Sequence, residues 1–276
     1  MSSNNRKFEM EIEIAASPDQ VWSAIADARE LARWFAPTTA VEPEVGGRIV
    51  WQWGAHHVWP QTIEAFEPGQ HLRTRYDSAV DDGAGGKRPL FVDFFLRGDG
   101  GTTKLRLVHS GFGPEAGFDA EFDGISDGWP VELRSLRHYL EHHRGKDRMV
   151  AWSLWTTPLP PAEAWARLTG DGGLALGGLH DLREGEAYSF DVPGAGPIAG
   201  RVLFSPSERE FSGTVTNLAD GWFRVHCEHW GGTTNVWLWL AVYDGPSDRV
   251  ASYERAFDAV LGRVLADGAK VAGVSA

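Results

Sequence analysis

One order of elements runs through this chain twice, and that repetition limits its fold more than any other feature. The first copy opens with a strand from Phe8 to Ile14, where Phe8, Met10, Ile12 and Ile14 alternate with Glu9, Glu11 and Glu13. Period two is the mark of a half-buried strand. Ser17-Pro18-Asp19-Gln20 follows, placing serine at the N-cap, proline at the first helical position and glutamine at the third, a capping-box start. A second short helix is expected from Glu30 to Phe35. From Gly46 to Gly111, strand-like runs are parted by turn signals at Gly54, Pro68-Gly69, Asp82-Gly83 and Asp99-Gly100. A loop over Phe112 to Gly124 leads into a final helix of roughly 18 residues. Its apolar stripe is Trp129, Leu133, Leu136 and Leu140.

The second copy keeps that order. Met149 to Thr156 reads as a strand, and Pro160-Pro161-Ala162-Glu163-Ala164-Trp165 stands where Ser17-Pro18-Asp19-Gln20-Val21-Trp22 stood. Gly231-Gly232-Thr233-Thr234 repeats Gly100-Gly101-Thr102-Thr103, each closing a turn into an apolar strand. The chain ends in another helix, with Tyr253, Phe257, Val260 and Val264 on one face. Gly145 to Arg148 reads as the linker, giving domains at 1–146 and 147–276. The expected class is α+β: two tandem helix-grip domains, each a curved antiparallel sheet wrapped around a long C-terminal helix. Space left between such a sheet and its helix is the ligand site of folds of this kind.

The residues of the first half carry a resemblance. Ser17-Pro18-x-x-Val21-Trp22, Trp34-Phe35, Gly46-Gly47-Arg48, Phe66-Glu67-Pro68, the run from Thr102 to Phe112 with its His109-Ser110-Gly111-Phe112, and Gly128-Trp129 followed by Leu133 and Leu136 span nearly all of residues 8–143. Together they resemble the SRPBCC (START-like, helix-grip) superfamily, in its activator-of-heat-shock-ATPase-like (AHSA-type) branch. The second half is similar only in outline: it lacks the His-Ser-Gly-Phe and Gly-Trp elements, and the Gly-rich Asp171 to Gly178 stands at its second-helix position.

Strand alternation assigns the inner faces. Thr103, Leu105, Leu107 and His109 share one face; Val92, Phe94 and Leu96 share that of the partner strand. Ile49, Trp51 and Trp53 lie together, with Trp59 on the next strand. The expected ligand wall is therefore Trp51, Trp53, Trp59, Phe94, Leu107, His109, Phe122, Trp129, Leu133 and Leu136. In the second domain Leu240 takes the place of His109, while Trp237 and Trp239, with Trp222 and His226 on the neighbouring strand, fall on the outer face. Such a patch is expected to be covered by the first domain or another subunit.

Composition narrows the partners. The formal charge of −12 is shared, residues 1–147 carrying 16 basic and 23 acidic side chains and the remainder 10 and 15. Nucleic acid and anionic membrane surfaces are poor partners for such a chain. The lone Cys227 fits a reducing compartment, and with no apolar leader or spanning segment the expected location is cytoplasmic. The 13 Trp suit cavity walls and interfaces as well as ordinary core.

His109 is the single candidate catalytic residue. An imidazole on an apolar wall serves either as an acid or base, with a carboxylate from Glu115, Asp119, Glu121 or Asp123, or as a buried ring bonded to backbone or water. His138 and His142 have metal-ligand spacing but lack the flanking Glu of a metalloprotease and read as a surface helix end. His56-His57 has no third ligand nearby. No metal site, phosphate cradle, nucleophile elbow or cofactor motif is indicated. The leading expectation is a binder of a small, mostly apolar or aromatic molecule in domain one, with domain two a supporting degenerate copy. The resemblance implies two others: a cyclase, dehydratase or hydrolase acting on a polyketide-like or aromatic substrate through His109, and a stimulator of a chaperone ATPase.

Overall fold

In the computed structural model, which describes residues 6–55, 57–81, 86–99, 101–175, 182–207, 209–230 and 232–271, the capping signals start the first helices. The Ser17 hydroxyl accepts from the Gln20 N–H, and the Gln20 side chain accepts from the Ser17 N–H. Asp27 ends the first helix and caps the second, its carboxylate accepting from the Glu30 N–H at 2.9 Å. That second cap moves the second helix to Ala28–Ala32, upstream of the expected Glu30 to Phe35.

The chain divides into two compact units between Gly145 and Lys146. The N-terminal unit contains β1 (Arg6–Ile14), α1 (Pro18–Ala26), α2 (Ala28–Ala32), β2 (Thr38–Val41), β3 (Arg48–Trp53), β4 (His57–Glu67), β5 (His71–Asp81), β6 (Lys87–Asp99), β7 (Thr102–Phe112) and α3 (Asp119–His138). The strands form one antiparallel sheet in the order β1-β7-β6-β5-β4-β3-β2. The C-terminal unit contains β8 (Met149–Thr157), α4 (Pro161–Thr169), β9 (Ala187–Val192), β10 (Gly196–Ser207), β11 (Glu210–Val215), β12 (Gly221–Trp230), β13 (Thr233–Val242), α5 (Ser247–Val264) and β14 (Ala269–Lys270). Its antiparallel sheet runs β14-β8-β13-β12-β11-β10-β9. Both units are α+β. Six strands follow one topology in each, with β2 present in the first unit and β14 in the second.

The repeated Gly-Gly-Thr-Thr has a structural reason. Gly101 and Gly232 sit at φ +99° and +84°, where a side chain is strained, and turn the chain into β7 and β13. The second threonine then bonds inward: Thr103 Oγ1 donates to Ala16 O at 2.7 Å, and Thr234 Oγ1 to Leu159 O at 2.6 Å. Each acceptor lies immediately before the cap of the unit's first helix. Thr103 faces Ile14 across the sheet and Thr234 faces Thr157.

One expected loop is helix. Residues expected as a connection from Phe112 to Gly124 form a short 3-10 turn at Ala116–Phe118 and then the first turn of α3. Asp119 and Glu121 in that turn complement the helix dipole, and Gly124 and Gly128 sit in open space. The helix ends in a π-helical turn, Tyr139–His143.

Alternation places the cores as the strands imply. Val92, Phe94 and Leu96 are buried opposite Thr103, Leu105, Leu107 and His109, with Trp129, Leu133, Leu136 and Leu140 of α3. In the C-terminal unit Val236, Leu238 and Leu240 join Phe190, Phe211, Phe223 and Phe257 in one apolar cluster, with Tyr253 and Val260 of α5.

Candidate functional site

The inner face of the first sheet meets α3 through aromatic rings. Trp129 lies 6.1 Å from Trp51, 5.8 Å from Phe94 and 5.7 Å from Phe35, measured between ring centroids. Phe35, just past α2, also touches Trp34, Trp51 and Trp53 at 4.9–5.0 Å. Trp53 packs edge-on against Trp59 at 5.3 Å, and Trp59 is 43% exposed beside exposed Val58. An unbroken path of rings thus runs from buried Trp129 to the surface. Trp59, expected on the inner wall, stands at its rim because it lies near the open start of β4. Phe122 stands apart from this wall: it packs on Phe112, with Leu90, Phe118, Tyr76, Val80 and Ile125. Leu107, Leu133 and Leu136 are fully buried.

His109 is the polar hub. The Trp129 indole N–H donates to its Nδ1 at 2.9 Å, and its Nε2 lies 3.0 Å from the Tyr76 hydroxyl. Because an indole nitrogen only donates, Nδ1 must be unprotonated, so the neutral ring carries its proton on Nε2 and gives it to Tyr76. Burial holds the imidazole down at about 3. Burial first, then the charge of Glu121, push the Tyr76 phenol well above its usual range. Glu121, 5% exposed, accepts a short hydrogen bond from Ser78, whose oxygen accepts in turn from the Val80 N–H at 2.9 Å.

The carboxylate sought for His109 is therefore not its partner. Asp119 pairs with Arg6, and Glu121 accepts from Ser78. Both ring nitrogens of His109 are engaged by side chains, neither by backbone, so it orients Trp129 and Tyr76. Sequence reasoning missed Phe35 as a wall residue, and missed Tyr76 and Ser78. The signal for the latter pair was there: Leu72, Thr74, Tyr76 and Ser78 alternate with Arg73, Arg75 and Asp77, and pairing sets Thr74 opposite Val92 and Tyr76 opposite Leu90.

His138 and His142, expected at a surface helix end, differ: His138 is buried and His142 exposed, their rings 4.9 Å apart. The π-helical turn that follows His138 carries His142 and His143 round so that their rings also approach each other. His56 lies outside the described residues, as do Asp82-Gly83, Gly100, Gly231 and residues 176–178.

Among the described residues the second interior has no counterpart of His109. Leu240 faces Phe223, and the cluster is filled by phenyl rings. Ser153 on the inner face donates to Asp258 of α5, while a buried charged cluster lies on the outer face. Arg224 forks onto Glu210, His226 Nδ1 lies 2.6 Å from Glu210, and Trp237 donates to Glu228 at 3.1 Å. Despite the cost of burial, Glu210 keeps its carboxyl below the usual range because Arg224 and His226 neighbour it, and against burial and the charge of Arg224, Glu210 in turn holds His226 up at about 9. Beside this cluster Trp152 stacks on Trp237 at 5.8 Å and meets Trp239 at 5.4 Å, with the Arg148 guanidinium over Trp239. Trp222 is buried and Trp237 and Trp239 are half-buried, so the outer-face register read from the sequence holds. A recess of about 230 Å³ lies between Leu218, Val242 and the start of α5; the Asn217 amide on its edge is spent on Ala199 and Pro197. Cys227 is buried and its thiol is pushed far up. Among the described residues no helix is long and apolar enough to cross a membrane.

An antiparallel sheet with one long helix set against its aromatic inner face defines the class of the N-terminal unit. Residues 15–141 match the family described as "Activator of Hsp90 ATPase homolog 1-like protein", and this unit belongs to that family, in the AHSA-type branch of the SRPBCC superfamily. Among solved structures, protein MLL2253 from Mesorhizobium loti is similar at 25% identity and a TM-score of 0.44, over 50% of this chain and 98% of its own. The Aha1 dimer from Colwellia psychrerythraea shows 20% identity and a TM-score of 0.44, over 51% and 99%. DynU16, from the dynemicin biosynthetic locus, is similar over 95% of this chain and 97% of its own, at 18% identity and a TM-score of 0.42. Among curated proteins none matches the chain.

Proposed function

We propose that the N-terminal unit holds a small, mostly apolar or aromatic molecule between its sheet, curved round α3 as in a helix grip, and that helix. The C-terminal unit is a diverged copy that supports it. The observation that carries this reading is the run of ring contacts from Trp129 through Phe35 and Trp53 to exposed Trp59. Ligand sites of this kind are mainly apolar and aromatic, with a few placed polar groups. Here Tyr76, Ser78, His109 and Glu121 are the polar groups, on one side of the interior. In the second unit Leu240 replaces His109 and phenyl rings fill the core, which suits a supporting role. An acid–base reading of His109 has little to support it, since both ring nitrogens are already bonded and the ring is neutral at ordinary pH.

Native mass spectrometry of the freshly purified chain tests the reading. The expected result is an added small-molecule mass lost on denaturation, together with saturable binding of 1-anilinonaphthalene-8-sulfonate that Trp59→Ala weakens by about tenfold. A chain that carries nothing and takes up no such probe refutes it.

A further inference from the structure

Three tryptophans are buried in the N-terminal unit, and their indole N–H groups are treated differently. Trp34 donates to Ala24 O at 2.8 Å and Trp129 to His109 at 2.9 Å. Trp51, 6% exposed, has no acceptor for its buried Nε1 among the described residues. One strand away, Gln61 is 3% exposed; its side-chain oxygen accepts from the Thr74 hydroxyl at 2.5 Å, and its buried Nε2 has no partner. With its oxygen taken by the Thr74 hydroxyl, the amide is left with its Nε2–H groups as unsatisfied donors.

The two orphans share a face. Trp51 is paired with Trp59 and Ile49 with Gln61, so Trp51 and Gln61 are diagonal neighbours on the inner side of the β3–β4 pair. Diagonal neighbours lie about 7–8 Å apart, within reach of one ligand group for side chains as long as these. The surroundings are aromatic: Phe35 at 4.9 Å from Trp51 and Trp129 at 6.1 Å. Buried donors are normally satisfied in folded proteins, and those that are not ask for a missing partner.

We infer that Trp51 Nε1 and Gln61 Nε2 form a donor pair for a hydrogen-bond acceptor on the ligand, so that this unit selects planar aromatic molecules bearing a carbonyl or quinone-like oxygen over the bare hydrocarbon. This rests on the proposed ligand site and deepens it. Trp51 and Gln61 supply N–H donors and no negative charge, so the group recognised is a hydrogen-bond acceptor rather than a protonated amine. With no positive charge on either residue, a carbonyl suits them better than a carboxylate. The aromatic path from Trp59 brings the ring system in, and the two donors fix how it lies.

A matched probe pair tests this: 9-fluorenone and fluorene, which differ by a carbonyl in place of a methylene. Their affinities for the full chain are measured by calorimetry, with indole ¹H–¹⁵N spectra recorded alongside. The Trp51 resonance is assigned by its loss in Trp51→Phe. The expected result is a preference for 9-fluorenone of about tenfold or more, with the Trp51 indole proton moving downfield only for the ketone. In Gln61→Leu the preference falls by about threefold or more, and in Trp51→Phe it falls toward unity. Equal binding of both probes overturns the donor pair and leaves the apolar site standing. A ketone preference that survives both substitutions, or that leaves the Trp51 resonance unmoved, also overturns it. If neither probe binds, the ligand site and the donor pair fall together.

Discussion

Replacing His109 with leucine, the residue that the second unit carries at the matching position, should cost stability at neutral pH and much less in acid. At pH 7 the substitution leaves the buried Trp129 N–H without an acceptor and removes the donor to Tyr76. An orphaned buried polar group costs about 1–3 kcal/mol, part of it offset by the added apolar surface, so a loss of about 2 kcal/mol is expected. The acid behaviour follows from the imidazole. The ring is held at about 3 in the folded unit, against 6.5 for the ordinary group. On acidification the unfolded chain therefore takes up a proton near pH 6.5 that the folded chain refuses until near pH 3. Stability from this group is complete above pH 6.5 and is lost as pH falls from there. Between pH 7 and 5 the wild type should lose about 2 kcal/mol through His109 alone, at 1.36 kcal/mol per pKa unit. The variant escapes that loss, so the two proteins should become equally stable near pH 5. Urea unfolding at pH 7, 6 and 5 measures this, fitted with separate transitions for the two units and with the C-terminal one as internal reference. Adding Trp129→Phe removes the donor that His109→Leu orphans, so the double variant should be more stable than the sum of the single losses allows. A penalty for His109→Leu that stays constant across that pH range would refute the buried neutral ring. A His109 resonance titrating near 6.5 in the folded protein would do the same.

Other perturbations separate the two units. Glu210→Gln leaves Arg224 and His226 side by side without their shared carboxylate and should destabilise the C-terminal unit by about 3–5 kcal/mol, read from its urea transition. His226 is held up at about 9, so the stability it contributes is present below pH 6.5 and drains away as pH rises through 9; alkaline unfolding of the C-terminal unit should show a loss of up to about 3 kcal/mol that His226→Gln lacks. Thr103→Val and Thr234→Val each remove one bond to the carbonyl before a helix cap, so each should cost its own unit about 1–2 kcal/mol and the double variant should show both losses additively.

The strands and their inner faces were legible because each sheet buries one side, and a slip of one residue would expose every apolar side chain on it. Thr103, Leu105, Leu107 and His109 were readable as one face for that reason, and so were Trp237 and Trp239 as outer-face residues. Helix caps were legible where a side chain makes the cap, as at Ser17. Asp27 shows what is lost: one residue ends one helix and starts another, and nothing in the apolar spacing marks it. The first turns of α3 were unreadable because Gly124 and Gly128 argue for a loop, while tertiary burial of Phe118 and Glu121 fixes the helix. Tyr76 and Ser78 lie inward on β5, alternating with Arg73, Arg75 and Asp77, and pairing with β6 sets that face against Val92 and Leu90. The orphaned N–H of Trp51 leaves no trace in sequence at all, since it depends on where acceptors are absent.

The two units differ in what lies between sheet and helix more than in what lies outside. Each buries an ion-paired cluster on its outer face: Asp93 with His71 and Arg73 in the first, Glu210 with Arg224 and His226 in the second. On its inner face the second unit sets Leu240, Phe223 and Phe257 in one apolar cluster, beside which Ser153 donates to Asp258 of α5. In the first, Trp129, His109, Tyr76, Ser78 and Glu121 carry side-chain hydrogen bonds between sheet and helix. At the His109 position an apolar pair holds the same strand pairing without the desolvation cost of a buried imidazole, as Leu240 against Phe223 does in the second unit. Buried polar groups that packing does not require are best accounted for by something they must orient or recognise. The exchange of His109 for Leu240 is accordingly the change along β7 and β13 that most alters the polarity of the inner face, which is where the ligand site proposed for the first unit is to be tested.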